Sequence, residues 1–314
     1  MAKLVLGGDN NSATPAFITL QEKEVPTKKF GLDIDYCIPG KVVDGVYVYD
    51  EESSTKPIHV NCQGITRFEA GFPQLFQYSH YVESVNLQDL QILDGNRTFE
   101  YLFFGCVNLT EINLDSLEII TNDEICNVEN AWWGEGWTAH QMFMQTGIST
   151  IDLNALHTIH GAYAATRMFS GCPNLTTANL PSLTIIDGGA AANSLFGTCP
   201  NLKTINMPNL RTIRGDYAGF YMFEGTGLET YTFESLEEVT GVDCLMGLFY
   251  LCQEIQSVYF PQLTTISQTA FNNAFYESSI SEIHFRTDMQ ETVENLSGYD
   301  MKFGANNAEI IFDL

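Results

Sequence analysis

The chain has 314 residues and a formal net charge of −25, with 39 Asp and Glu against 14 Lys and Arg. Phosphate binding needs clustered Lys and Arg, so this balance argues against nucleic acid and against an anionic membrane surface as partners. No apolar run reaches the roughly 18 residues of a membrane span, and the apolar start at residues 4–6 is too short for a signal-peptide core. We therefore expect no membrane insertion and no export by the usual route.

Residues 1–57 carry strand patterns and no repeat. Residues 30–37 alternate apolar and polar side chains, as a half-buried strand does. The stretch from Val42 to Tyr49 alternates as well, and it contains the turn signal Asp44-Gly45. These patterns predict a small β-rich N-terminal module.

A repeat of 26 or 27 residues organises the chain that follows. Residues 168–194, MFSGCPNLTTANLPSLTIIDGGAAANS, are followed directly by a close copy over residues 195–221. A Phe near the start of each unit recurs in steps of 27, 40, 26, 27, 27, 26 and 26, and the step of 40 contains a 13-residue insertion. Units this short cannot bury an apolar face alone, so they must stack into a solenoid. The recurring residues are Phe76, Phe103, Phe143, Phe169, Phe196, Phe223, Phe249 and Phe275.

Each unit contains a pattern of the type Leu202-x-x-Ile205-x-Met207, whose alternation has strand period and predicts a parallel sheet along one side. A second apolar pair, such as Leu183 and Ile186, often follows a proline that ends the first strand. The Gly- and Ala-rich third side has apolar residues at helical spacing and predicts one or two helical turns. Residues 58–285 are therefore predicted to form a right-handed, β-rich solenoid of about eight units, with 58–75 as a degenerate first unit.

Residues 286–314 are predicted to form a C-terminal cap of a helix and a strand. Thr287 and Gln290 have the spacing of a capping box, and Gly298 is placed to end the helix. Residues 309–314 have the pattern of a final strand, which would cover the last open edge of the sheet.

The residues that could carry chemistry form no recognisable constellation. Four of the eight cysteines fall three residues after the repeat Phe, which predicts small buried thiols: Cys106, Cys172, Cys199 and Cys252. No pair has C-x-x-C spacing, and no nucleophile elbow, phosphate loop or dinucleotide fingerprint occurs. We expect no enzyme, no catalytic residue, no metal and no cofactor.

Two features suggest binding. The first is the outward column that follows the central apolar residue of each strand. Two explanations are open. The side chains hydrogen bond to one another along the column as an amide ladder, or they form a polar surface that contacts a sugar or a protein. The column consists of Asn86, Asn113, Asp152, Asn179, Asn206, Thr232, Tyr259 and His284.

The second feature is the insertion between Ile120 and Phe143, which contains AWWGEGW at residues 131–137. All three tryptophans of the chain, Trp132, Trp133 and Trp137, are in this stretch. Insertions in repeats often lie on the binding face, and Trp is enriched at interface hot spots. The alternative is that the tryptophans fold back and shield a ridge of the solenoid.

The order F-x-x-C-x-x-L-x-x-I-x-L-P-x-L-x-x-I, carried from Phe169 through Cys172 and Pro181 to Ile186, resembles the BspA-like class of leucine-rich repeats. The resemblance covers residues 58–285 and implies a leucine-rich-repeat solenoid. Such proteins are encoded by gut bacteria and their bacteriophages, and the segments at residues 29–35 and 283–314 resemble the two ends of the phage-encoded ones.

That resemblance implies a recognition or structural protein of the virion, such as a fibre, decoration or tail-associated protein. It would bind a host-surface protein or glycan, contact other virion proteins through residues 1–57, and allow for a homo-oligomer. A bacterial cell-surface adhesin is the alternative.

Overall fold

The structure is a computed structural model that describes residues 81–95, 97, 99–122, 136–305 and 307–314. It also describes residues 74 and 76–80 and the segments 3–7, 16–21, 30–34, 40–43, 46–49, 58–62 and 66–68. Over these residues the chain forms a parallel-sheet β-solenoid of about eight turns with three sides, which confirms the predicted fold class.

The N-terminal strands join the solenoid edge to edge. Strand β1 pairs antiparallel with β2, β2 with β3, and β3 with β6. Strands β4 and β5 form the predicted hairpin around residues 44 and 45, which lie outside the described residues. The seven strands are β1 (Lys3–Gly7), β2 (Ala16–Gln21), β3 (Phe30–Ile34), β4 (Gly40–Val43), β5 (Val46–Tyr49), β6 (Ile58–Cys62) and β7 (Arg67–Phe68).

Two strand series follow, one on each of two sides, and they alternate along the chain. The first-side series is β8 (Val82–Asn86), β10 (Glu111–Asn113), β12 (Thr150–Asp152), β14 (Thr177–Asn179), β16 (Thr204–Asn206), β18 (Thr230–Thr232), β20 (Ser257–Phe260) and β22 (Glu282–Phe285). The second-side series is β9 (Ile92–Asp94), β11 (Ile119–Thr121), β13 (Thr158–His160), β15 (Ile185–Asp187), β17 (Thr212–Arg214), β19 (Glu238–Thr240) and β21 (Thr265–Ile266).

The longest sheet lies on the second side. There β7 and the odd-numbered strands from β9 to β21 form one parallel eight-stranded sheet. On the first side the described strands fall into three sheets, in the orders β1-β2-β3-β6-β8-β10, β12-β14-β16 and β18-β20-β22 with the C-terminal strand β23 (Glu309–Phe312). The central residue of each short strand points inward, as Ile186 and Ile213 do, and its neighbours face outward.

The third side contains a ladder of turns, so the prediction of helical turns there is wrong. Every fourth residue has positive φ, as in Tyr163 (54°), Arg167 (54°) and Gly171 (68°). Backbone N–H groups alternate in their partners. That of Arg167 donates to the next unit at Asn193 (2.8 Å), and that of Met168 donates three residues back. A helix would use its N–H groups internally and leave the neighbouring units unbonded.

The repeat phenylalanines form a buried column inside the turns, as predicted. Successive rings stack from Phe76 to Phe196, with centroids 5.4 to 5.8 Å apart and nearly parallel planes. The column continues from Phe223 through Phe249 to Phe275, and all of these rings are at most 1% exposed. This column is the centre of the apolar core.

The cysteine column lies beside the phenylalanines and connects neighbouring units. Each sulfur donates to the Phe carbonyl of the preceding unit, as Cys199 Sγ does to Phe169 at 3.2 Å. Where threonine replaces cysteine, its hydroxyl donates to the Phe carbonyl of its own unit, as in Thr226 to Phe223 at 2.9 Å. Cys106, Cys172, Cys199 and Cys252 are all buried in the thiol state, which confirms that prediction, and so is Cys244.

The C-terminal cap has the predicted elements but a different cap chemistry. A short 3-10 turn at Thr287–Met289 leads into helix α1 (Gln290–Glu294), and β23 pairs parallel with β22. The capping box is wrong, because the Thr287 hydroxyl donates to the Phe312 carbonyl at 3.2 Å. The helix already ends at Glu294, four residues before Gly298. Met289, Val293 and Leu296 are buried on the predicted face.

Candidate functional site

The insertion leaves and re-enters the solenoid at one closed neck. Its 13 residues, 123–135, lie outside the described residues, and Trp132 and Trp133 are among them. Immediately before the insertion, Asn122 Nδ2 donates to the carbonyls of Gly136 and of Ala162, the latter at 2.6 Å. The Thr138 hydroxyl donates to the Thr121 carbonyl at 2.9 Å. These bonds tie the two ends of the insertion together and to the next unit.

The core and the second side of the solenoid continue across this neck. Phe103 and Phe143 are 40 residues apart, yet their rings stack at 5.4 Å with an interplanar angle of 3°. Strand β11 pairs in register with β13, which puts Ile120 beside Ile159. The turn ladder also continues, since the N–H of Phe99 donates to the Thr138 carbonyl at 2.8 Å. Among the described strands, only the first-side sheet is interrupted here, because it ends at β10 and a new sheet starts at β12.

Trp137 belongs to the turn ladder and not to the insertion. It lies six residues before its repeat Phe, the same place that Arg97 and Tyr163 occupy in the adjacent units. Its half-buried ring stacks on His140 with centroids 4.6 Å apart, and the Arg97 guanidinium lies 5.5 Å from its centroid. Counting back from Phe143 would have revealed this position in the sequence. Trp137 therefore packs against the solenoid, as the alternative of tryptophans that shield a ridge requires; Trp132 and Trp133 lie outside the described residues.

The base of the insertion contains buried polar atoms that have no hydrogen-bond partner. Among the described residues these are Asn122 Oδ1, Trp137 Nε1 and His140 Nδ1. Such atoms are uncommon and cost on the order of 1–3 kcal/mol each. Burial lowers the pKa of His140 to about 3, and the charges of Arg167 and Arg97 act in the same direction. His140 is thus neutral at neutral pH, and because its Nε2 accepts a bond from the Gln141 amide nitrogen at 2.9 Å, its unbonded Nδ1 carries the proton and is a donor.

The outward column of the first side is not one uniform ladder. Asn113 accepts a bond from the backbone of Asp115 at 3.1 Å, which closes a local turn, and Asn86 does the same with Gln88. The predicted amide ladder appears between Asn179 and Asp152 at 2.6 Å. Asp152 and Asn206 are exposed, whereas Asn113, Asn179 and Tyr259 are half-buried.

His284, at the end of this column, is largely enclosed by the cap. Its ring stacks on Tyr259 with centroids 4.3 Å apart. Its two nitrogens lie 2.9 Å from Asp313 and 3.3 Å from Glu282. Trp137 and this column are on different parts of the repeat, so the described candidate residues divide into two groups. No direct contact between the groups is found among the residues that the structure describes.

Other potential ligating groups are engaged in ion pairs along the second side. Asp187 lies 3.3 Å from His160 and 2.7 Å from Arg214, and the bonded Arg214 guanidinium holds the pKa of that carboxyl below its usual range. In the described part of the chain, no group of three or more His, Cys, Asp or Glu side chains could hold a metal ion. No helix there is long and apolar enough to cross a membrane.

The comparison with family models identifies the class of protein. The model of the BspA type leucine-rich repeat region matches in six copies, over residues 139–247 and 166–296, which together span about half of the chain. The chain belongs to this family of BspA-type leucine-rich repeat proteins. No curated protein matches the sequence. Repeats of this kind are typically binding scaffolds, which fits a surface or protein-binding role.

Proposed function

We propose that this chain is a non-enzymatic recognition protein whose solenoid presents contact residues to a protein or glycan of a cell surface. The observation that carries the proposal is the closed neck beneath the insertion. Because Asn122 and Gly136 are bonded and Phe103 stacks on Phe143, the described core is packed on both sides of the insertion, and we take the 13 inserted residues to be available for recognition. Long insertions in compact repeats are usually functional.

The contact would be centred on Trp132, Trp133 and the neck, with Trp137 as its floor. The unpaired atoms are one acceptor, Asn122 Oδ1, and two donors, Trp137 Nε1 and His140 Nδ1; all three are buried, so a ligand group would have to enter the neck to bond them. The exposed first-side column, including Asp152 and Asn206, provides a second polar surface. Trp supplies large contact area at low cost in conformational entropy, which is why it suits such a loop.

We place the protein on a bacteriophage virion, where residues 1–57 would attach it to other virion proteins. The support is the resemblance of the segments at residues 29–35 and 283–314 to phage-encoded repeat proteins. Strands β1 to β3 extend the first-side sheet, so attachment through them would hold the solenoid by its N-terminal end. A bacterial cell-surface adhesin fits the same repeats equally well.

Immunogold electron microscopy tests the placement. Antibodies raised against residues 136–305 would be applied to purified phage particles and to intact cells from the native source. Gold on the particle surface supports the virion assignment. Gold confined to the cell envelope supports the adhesin and contradicts the virion. Gold found only inside lysed cells contradicts surface recognition altogether.

A further inference from the structure

Aromatic side chains form a continuous row along the third side of the last three units. Neighbouring ring centroids are 5.6, 4.0, 5.4 and 5.9 Å apart. Tyr276 is 47% exposed, and the other rings are half-buried, so part of each ring faces solvent. We call this set the aromatic row, which consists of Tyr217, Phe220, Tyr221, Tyr250 and Tyr276.

Two carboxylates flank the row. Glu277 follows Tyr276 in the chain and lines the same cleft, and the backbone N–H of Glu224 donates to the Tyr221 carbonyl at 3.1 Å. Burial raises the pKa of Tyr250, and the negative charges of Glu277 and Glu224 act in the same direction. Glu224 is half-buried, and among the described residues its carboxylate makes no ion pair and no side-chain hydrogen bond. Burial raises the pKa of Glu224 as well, and the charge of Arg167 opposes this shift without forming an ion pair with the carboxylate.

A half-buried carboxylate without a partner is costly, and a cation that approaches it recovers that cost. Aromatic faces add cation–π attraction, which favours a guanidinium because it can stack and bond at once. The net charge of −25 repels anionic ligands and attracts basic ones over a longer range. The chemistry of the row therefore matches a positively charged, planar group.

We propose that the aromatic row with Glu224 and Glu277 is a docking surface for an arginine-bearing, extended segment of a partner protein. The row ends at a cleft of about 560 Å³, which is lined by Tyr276, Glu277, Ser279 and Asn307 and gives the segment room to continue. This surface belongs to the last three units, whereas the neck at Asn122 and Gly136 belongs to an earlier one, and its occupant is a basic protein segment and not a glycan.

The experiment measures binding of a fluorescent peptide that alternates Arg and Ser, at physiological ionic strength, where long-range attraction is screened. Glu224→Gln and Tyr250→Ala should each weaken binding about tenfold, from loss of a charge-assisted bond and of a cation–π contact. Glu111→Gln makes the same charge change on the first side, and Tyr78→Ala removes an exposed ring of the third side in another unit. Both controls should stay within about twofold of the parent protein.

Replacing every Arg of the peptide by uncharged citrulline should abolish binding. The proposal is overturned if Glu224→Gln binds no more weakly than Glu111→Gln, or if the citrulline peptide binds equally well. It is also overturned if only neutral oligosaccharides bind in a manner that needs Tyr250. Circular dichroism checks that each variant is folded. If Tyr250→Ala proves unstable, the result for the milder Glu224→Gln variant decides the test. Removal of residues 123–135 should leave peptide binding unchanged, so failure here and failure of the proposed function are separable.

Discussion

Asn122 and Gly136, the residues on either side of the insertion, are hydrogen bonded to each other through the Asn122 amide and the Gly136 carbonyl. The same amide donates to Ala162 of the next unit. In the other units a glycine such as Gly161 or Gly188 occupies the corner that Asn122 occupies here. The Asn122 side chain therefore bonds the two ends of the insertion together and also bonds to the next unit at the corner. This allows a long loop to be added without interrupting the phenylalanine column.

The phenylalanine column makes a direct stability prediction. Phe196 is fully buried and stacks on Phe169 at 5.8 Å. Phe196→Ala should lower the free energy of unfolding by about 3–5 kcal/mol, because it leaves a cavity in the core. Phe196→Leu keeps most of the volume and should cost less than about 1.5 kcal/mol. Chemical denaturation measures both, and a loss below about 1 kcal/mol for the alanine variant would refute the assigned register.

The corner glycines predict a contrast between two similar substitutions. A Cβ on Gly188 would lie 2.6 Å from the backbone of Gly161, and the residue has φ of 129°. Gly188→Ala should therefore destabilise the protein by about 3 kcal/mol or more.

Gly225 is the matched control for Gly188, since a Cβ there meets its nearest atom only at 3.7 Å and its φ is 59°. Gly225→Ala should cost only about 1–2 kcal/mol, because Arg167 and Ser194 already adopt this conformation in the ladder. Equal losses for the two variants would show that close approach at the corner does not matter.

His140 predicts a specific loss of stability in acid. Its pKa is about 3 in the folded protein and about 6.5 when unfolded, so the unfolded chain binds more protons between these values. Stability that is complete above about pH 6.5 is therefore lost as the pH falls toward 3. Phe220 occupies the equivalent place in its own unit, which makes His140→Phe a compatible replacement.

Between pH 7 and pH 4, the parent protein should lose about 3 kcal/mol more than His140→Phe, because each pH unit of this window contributes about 1.4 kcal/mol. Urea titrations at several pH values measure the difference. Parallel curves for the two proteins would mean that folding does not lower the pKa of His140.

The buried cysteines predict protection from alkylation. Burial raises the pKa of Cys244 to about 12 and also raises that of Cys252. Mass spectrometry after alkylation of the native protein should find these two thiols unmodified, together with Cys172 and Cys199. All four should react in denaturant. Native modification of Cys199, or a disulfide between Cys172 and Cys199, would contradict the packing.

The sequence was sufficient to predict the two strand sides because inward and outward residues alternate there with a period of two. It failed on the third side for a physical reason. Ala164, Ala165, Met168 and Phe169 are all buried, and this period of four over a short stretch resembles the period of a helix. The positive φ of Tyr163 and Arg167 is unfavourable in isolation, and cross-unit hydrogen bonds that no local pattern reveals compensate for it.

The candidate site shows the same division between local and distant information. The insertion was visible from the spacing of the phenylalanines, but the neck depends on Asn122 reaching a residue 14 positions away. The prediction of a capping box was wrong for the same reason, because the Thr287 hydroxyl bonds to Phe312, 25 positions away, rather than to its own helix. The aromatic row could not be predicted because its members come from three units and four different repeat positions.

The most direct test of the recognition loop is removal of residues 123–135, which joins Asn122 to Gly136. Thermal unfolding and binding to intact bacterial cells would be measured for the shortened and the full-length protein. A melting temperature within a few degrees of the parent, with loss of cell binding, is the predicted result. Undiminished binding by the shortened protein would contradict a recognition role for the loop, and a collapse in stability would show that it is a structural lid.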